Sequence, residues 1–288
     1  MSTAITRARP WLGTLVQMQV EGLPETDALR AIDAAFAEVA QVHRLMSFHE
    51  ADSDIGRLHA APPGAAVAVD ARTWEVLEIA GDVAAASQGI FDITIAPRLV
   101  AGGRLPRPVS PFAPDPQATW RDIERLDGMC VRLRRPLWLD LGGIAKGFAV
   151  DRAIAVLQQA GAKQAVVNAG GDLRCFGARP EAVYLRLDQA GIHVPLLELL
   201  NAAVATSARD PGLGAGQPGA HVHGVTREAI GNADSVCVVA AHCVIADALT
   251  KVVLAGDAVI AQQVLAWFAA EAGMLDPVRG WRALDRAA

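Results

Sequence analysis

The stretch "LDLGGIAKGFAVD" at 139–151 constrains this chain more than any other. An apolar, strand-like run ends in Asp140, and Gly142 and Gly143 let the backbone turn tightly. A helix carrying Lys146 then starts, running from about Ile144 to Ala160 with Gly161 as its stop signal. A strand delivered into a helix N-terminus aims backbone N–H groups beyond the turn. With a lysine nearby, that is a cradle for phosphate or pyrophosphate. The stretch is neither a Walker A loop nor G-x-G-x-x-G. A tight strand-to-helix turn with a solvated lysine fits the same residues equally well.

Around it, alternation places a strand at 12–20. Leu29, Ile32, Phe36, Val39 and Met46 mark an amphipathic helix over 27–46. A second helix runs from Asp70, a good N-cap, to Ser87, and Ser53 and Asp54 cap a short helical turn. "IFDITIAP" (90–97) reads as a short strand with Asp92 and Thr94 on one side. Residues 101–118, with adjacent glycines and five prolines, form a long loop. Asp127-Gly128 marks a hairpin turn. "QAVVNAGGDLRCFG" (164–177) reads as a strand in which Gly170-Gly171 makes a bulge or lets a ligand approach the backbone. Further strands fill 182–207, with a turn near Ala190-Gly191, and "SVCVVAA" is a buried strand. A helix carrying "IADALTK" (245–251), another over 258–271 and a short strand finish the chain. Helices and hairpins alternate without βαβ regularity, which predicts an α+β fold.

The chain is 52% hydrophobic and 20% charged, a globular balance, and its net charge of −5 leaves no basic excess for a nucleic-acid surface. Cys130, Cys175, Cys237 and Cys243 lack C-x-x-C spacing and read as reduced thiols. No apolar run is long enough to predict a membrane span. "MSTAITRARPWLGT" has neither a signal-peptide core nor a lipobox, so the sequence as written predicts a cytoplasmic protein. No G-x-S-x-G and no sequence-paired cysteine and histidine supply a nucleophile, which favours chemistry on a bound cofactor or phosphate ester. On a helix, Asp247, Thr250 and Lys251 share a face at i, i+3 and i+4. They can hold a metal, replace one with the lysine charge, or form a solvated ion pair, the commonest local outcome. His43, His49 and His59 read as surface or packing residues, whereas His221 and His223 alternate and can face one side.

Taken in order, "LGT" (12–14), "LMSFHEADSDIGRLH" (45–59), "GIFDITIAP", "LDLGGIAKGFAVD", "AVVNAGGDLRCFG", "ATS" (205–207), His221 and "VIADALTKVVLAG" resemble the ApbE family, the FAD:protein FMN transferases. The resemblance implies a single α+β, T-fold-like domain over 1–288, with two intimately packed halves and a cofactor cleft between them. Segments 12–14, 45–59, 90–97, 139–151, 166–177, 205–223 and 245–251 would assemble the FAD site. It implies that Leu12, Ser47, His49, Phe91, Asp92, Thr94, Asp140, Lys146, Gly171, Asp172 and Ser207 bind FAD. Leu12 stands where the family usually has a methionine, and His49 where many members have a tyrosine.

The same resemblance implies Mg²⁺ held by the Ala145 carbonyl, Asp247 and Thr250, with Asp247 and His221 as candidate catalytic groups. The loop after His221 ("VHGVTRE") departs from the family's Asp-Pro. The family threonine lies four residues after its aspartate. Here Lys251 has that spacing and Thr250 falls one short, so either can face the site. The implied activity is magnesium-dependent transfer of FMN from FAD to a Ser/Thr hydroxyl of a target protein, releasing AMP. The alternatives are hydrolysis of FAD to FMN and AMP, or FAD binding without transfer, with Lys251 in place of the metal. Family members are commonly exported.

Overall fold

The computed structural model describes residues 4–186, 193–207, 221–230, 235–276 and 280–284. In chain order its elements are β1 (Ile5–Trp11), β2 (Thr14–Glu21), α1 (Glu25–Met46), α2 (Asp54–Ala60), β3 (Ala66–Ala68), α3 (Ala71–Ala86) and α4 (Ala96–Ala101). Then come β4 (Ile123–Leu126), β5 (Cys130–Leu133), α5 (Ala145–Gln159), β6 (Gln164–Ala169), β7 (Asp172–Phe176), β8 (Glu181–Arg186), β9 (His193–Leu199) and β10 (Ala203–Ser207). The chain closes with β11 (Ser235–Ala240), α6 (Cys243–Leu254), α7 (Ala258–Trp267), β12 (Glu271–Asp276) and β13 (Gly280–Ala283).

Eight strands form one antiparallel sheet in the order β1-β2-β6-β7-β10-β11-β12-β13. Two groups of four meet where Leu173 and Arg174 of β7 face Val204 and Ala203 of β10. Helices α1, α5 and α6 cover one face, and the alternation of β2 explains why: Val16, Met18 and Val20 point inward onto Ile32, Phe36 and Ile154. Each such side chain, once fully buried, contributes about 1.5–3 kcal/mol. On the other face Val166, Leu173, Cys175, Val204 and Cys237 form a smaller cluster under Val183 and Leu197 of the β8–β9 hairpin. The central strands are therefore apolar on both faces. All four cysteines are free, and no described helix is long and apolar enough to cross a membrane.

The α+β expectation holds, with local differences. "IFDITIAP" is not a strand. Asp92 Oδ1 accepts from the Thr94 N–H and hydroxyl, each at 2.8 Å, and caps a 3-10 turn (Ile93–Ile95) that leads into α4. A short carboxylate that captures a backbone N–H outcompetes the β preference of the isoleucines, and Pro97 in the first turn of α4 suits a helix start. Residues 137–141 join no sheet. Their extended backbone is held by Asp140 N–H on the Ile93 carbonyl and Leu139 N–H on His59 Nε2, both 2.7 Å. Gly170-Gly171 is no bulge but the two-residue turn of a β6–β7 hairpin, with φ of 66° and 103° and Ala169 facing Asp172. The strand at 12–20 is the second arm of a hairpin, with Leu12 and Gly13 left-handed in its turn. At the other end α7 stops at Trp267, and a β12–β13 hairpin replaces the single closing strand. The turn expected near Ala190-Gly191 lies outside the described residues.

The relation between α5 and α6 fixes the site. Asp151, on α5, accepts the first amides of α6, Cys243 N–H and Val244 N–H, each at 2.9 Å. Its carboxylate also takes Arg174 Nη1 at 2.7 Å. A helix N-terminus with a carboxylate on its free N–H groups is capped and electrostatically favoured. Beside it Gly147 lets the helices touch: a Cβ there would lie 2.3 Å from the Cys243 carbonyl oxygen.

Candidate functional site

A cleft of about 530 Å³ opens above the start of α5, within the range of small-molecule sites. Its polar floor is Asp140, Gly142, Gly143, Lys146 and Lys251, and Gly170, Thr206, Ser207 and His221 close one side. Phe91, Ile95, Leu99 and Leu105 supply most of its apolar lining, together with Asp92 and Arg104.

Lys146 lies in the first turn of α5 and reaches two buried carboxylates. Its ammonium pairs with Asp172 Oδ2 and stands 3.7 Å from Asp247 Oδ2. Burial works against that ammonium, but Asp247 and Asp172 outweigh it and hold its pKa above the usual lysine value. Burial and the charge of Asp247 push the Asp172 carboxyl up to about 6, against the pull of Lys146. Burial likewise opposes ionisation of Asp247, yet Lys146 and Lys251 hold it below the usual carboxylate range. Asp140 accepts from Gly142 N–H at 2.9 Å, and burial raises its pKa. His221 lines the cleft as a neutral imidazole, pushed down to about 4 by burial and then by the charge of Lys251.

Helix α6 settles which neighbour of Asp247 faces the cleft. The Lys251 ammonium lies on Asp247 Oδ1 and donates to the Asp247 carbonyl at 2.9 Å. Thr250 turns toward β10: its hydroxyl donates to that carbonyl at 2.7 Å, so Ser207 donates to Thr250 across 2.8 Å. Asp247 Oδ2 accepts Gly147 N–H at 3.1 Å. Magnesium needs open oxygen ligands in near-octahedral order. Here both Asp247 oxygens already face N–H donors and the Thr250 hydroxyl is engaged elsewhere. Ala145, buried in the first turn of α5, brings no second carboxylate. No three His, Cys, Asp or Glu converge among the described residues. The set expected to hold the metal does not fit a divalent cation as arranged.

Of the other residues expected at the site, Phe91, Asp92, Asp140, Lys146, Ser207 and His221 line the cleft. Asp172 lies beneath it through Lys146, and Thr94 is buried behind Asp92. Gly171 shares the β6–β7 turn with Gly170, whose missing Cβ would lie 2.4 Å from Thr14 Oγ1. Leu12, Ser47 and His49 are not among the residues lining this cleft, though His49 stands near enough to Asp140 to act on it electrostatically. Leu12 packs on the core, Ser47 is buried at the end of α1, where its hydroxyl accepts His49 N–H at 3.2 Å, and His49 is exposed.

Two residues escaped the sequence reading. Arg227, left-handed at φ 59°, donates through Nη2 to Asp92 Oδ2 (2.9 Å), Thr94 Oγ1 (3.0 Å) and the Ala118 carbonyl (3.1 Å). It pins the His221 loop to the segment carrying Phe91. Nothing in its spacing marks it, because its partner lies 135 residues away. His59, expected to be a surface or packing residue, orients the segment feeding the Gly142-Gly143 turn by accepting Leu139 N–H. Burial pushes its imidazole from 6.5 down to about 4. The unfolded chain takes a proton near 6.5 and the folded one only near 4, so stability is full above 6.5 and falls as pH drops toward 4. The loss from His59 reaches about 3 kcal/mol at the low end. Thermal melts at about pH 7.5 and about pH 5 should show a smaller drop for His59→Gln, whose amide oxygen accepts the same N–H without titrating; equal drops would contradict this.

The chain matches the ApbE family over residues 12–273. It is 33% identical over 191 residues to the FAD:protein FMN transferase of Rhodobacter capsulatus, covering 60% of this chain and 36% of that protein. The matches span 36%, 52% and 64% of the lengths of the curated relatives. Among solved structures it superposes on the flavin transferase ApbE from Vibrio cholerae with a TM-score of 0.81 at 21% identity, covering 98% of this chain and 97% of that one. The apo form of the Pseudomonas stutzeri flavinyl transferase ApbE gives 0.80 at 19% identity, covering 98% and 94%.

Proposed function

The chain belongs to the ApbE family, and on that premise we propose that its cleft binds FAD and transfers the FMN moiety to a serine or threonine hydroxyl of a target protein. The observation that carries this reading is that Lys146 and Lys251 line one cleft at the start of α5 together with apolar residues led by Phe91. Two ammonium groups suit a pyrophosphate, and the apolar residues suit a flat ring system. In this reading the two four-strand groups of the sheet are the halves between which the cofactor lies.

The target hydroxyl oxygen forms a bond to the FMN phosphorus while the bond from that phosphorus to the bridging oxygen breaks, and AMP leaves with that oxygen. The hydroxyl proton passes to the neutral imidazole of His221. Asp247, with both oxygens committed to N–H donors, holds the lysines in place and is not the base. Such a transfer depends on alignment and on charge placed where charge builds up, which the fixed lysines supply. Incubation with FAD and a flavinylatable target, with Mg²⁺ and separately with EDTA, should give a fluorescent covalent adduct in gel and one AMP per adduct. No adduct under either condition would sink the transferase reading. AMP without adduct would point to hydrolysis. Intact FAD retained without AMP would identify binding without transfer, the reading that Lys251 in the cleft favours next.

A further inference from the structure

We propose that Lys251 is a built-in cation that takes the place of a divalent metal, so that this cleft binds the FAD pyrophosphate without magnesium. This rests on the reading that the cleft takes FAD. A hard cation on α6 would need Asp247 Oδ1 and the Asp247 carbonyl, the two oxygens on which the Lys251 ammonium already lies. The remaining carboxylate oxygen carries Gly147 N–H and has the Lys146 ammonium 3.7 Å away. A metal would have to displace one ammonium and tolerate the other.

The fit of Lys251 is itself built. Its side chain is 14% exposed. Its stem runs so close to the Gly142-Gly143 turn that a Cβ on Gly143 would lie 3.3 Å from Lys251 Cε and 3.7 Å from the Phe91 ring. Gly143 thus keeps a slot for the lysine between Phe91 and the start of α5. Thr250, the residue that could have offered a ligand oxygen, is tied to Ser207 instead. Lys146 and Lys251 both line the cleft, so a bound pyrophosphate would meet their ammonium groups.

The test is FAD binding by the full chain, read from quenching of flavin fluorescence, in EDTA and in excess Mg²⁺. The wild-type Kd should agree within about twofold between the two conditions, and Lys251→Met, checked for folding by circular dichroism, should weaken binding by about tenfold or more, as loss of a charge-assisted contact implies. A wild-type Kd at least about tenfold weaker in EDTA than in Mg²⁺ overturns the proposal, as does unchanged affinity in Lys251→Met. A second arm needs no FAD. Mn²⁺ titrated into the apo protein and followed by electron paramagnetic resonance should stay unbound at this site. A bound signal that Asp247→Asn removes overturns the proposal. Failure of FAD to bind in every condition defeats the proposed function, and the Mn²⁺ arm still decides the role of Lys251.

Discussion

Lys146→Met should destabilise the protein by about 3 kcal/mol at about pH 8, and by much less near pH 4, because removing one partner of a buried pair leaves an uncompensated charge. Asp247 keeps Lys251 and the Gly147 N–H as partners. Asp172, 2% exposed, loses the ammonium it pairs with. Its carboxyl already sits up at about 6 and rises further once the lysine charge is gone. An acid with a raised folded pKa is no burden while both states are protonated, and its cost grows as pH rises from the unfolded value through the folded one. Urea unfolding at the two pH values checks this. A second change, Asp172→Asn, should recover most of the loss at high pH. A deficit independent of pH, or one that Asp172→Asn leaves untouched, would mean that Lys146 acts through packing alone.

Gly147→Ala should cost about as much through sterics, at or beyond the roughly 1–3 kcal/mol typical of overpacking. The new methyl would stand 2.3 Å from the Cys243 carbonyl oxygen, 2.6 Å from its carbon and 2.9 Å from Asp247 Cβ. Those are backbone and helix-stem atoms, which cannot swing aside as a side-chain tip can, so α5 and α6 must part. The shift also lengthens the Gly147 N–H contact to Asp247 and moves Asp247 away from Lys146. Chemical denaturation measures the stability, and a variant within about 0.5 kcal/mol of wild type would show that the helices already have slack.

How much of this was legible in the sequence depends on the distance over which each choice is made. Helix α3 was readable from Asp70 and Ser87 because its cap and stop are local, and Asp70 does accept Arg72 N–H at 2.9 Å. The two glycine pairs show the limit. Gly142-Gly143 leads into a helix and Gly170-Gly171 closes a hairpin, though both follow apolar runs. The second was expected to be a bulge within one strand, although Leu173 and Cys175 alternate onto one face of β7 as a separate hairpin arm does. For "IADALTK", helical spacing alone placed Thr250 and Lys251 equally near Asp247. Ser207, 43 residues earlier, captured Thr250 and left the cleft to Lys251. Such long-range partners carry no local signal, and the same holds for Arg227 on Asp92.

The strand order also sets a timetable for synthesis. The β1–β2 hairpin is made well before β6, the strand that flanks β2 on its inner side, with Val16 facing Ala169. At about 5–20 residues per second, a ribosome needs roughly 8–30 s to reach that partner. For that interval β2 presents an unpaired edge, and the apolar stripe of α1 waits for α5 to cover it. Slow, non-local pairing of this kind leaves a chain exposed to aggregation for longer. The outer edge of the hairpin, β1, carries Arg7 and Arg9, both exposed, and charge of that sort keeps a growing sheet from recruiting its neighbours.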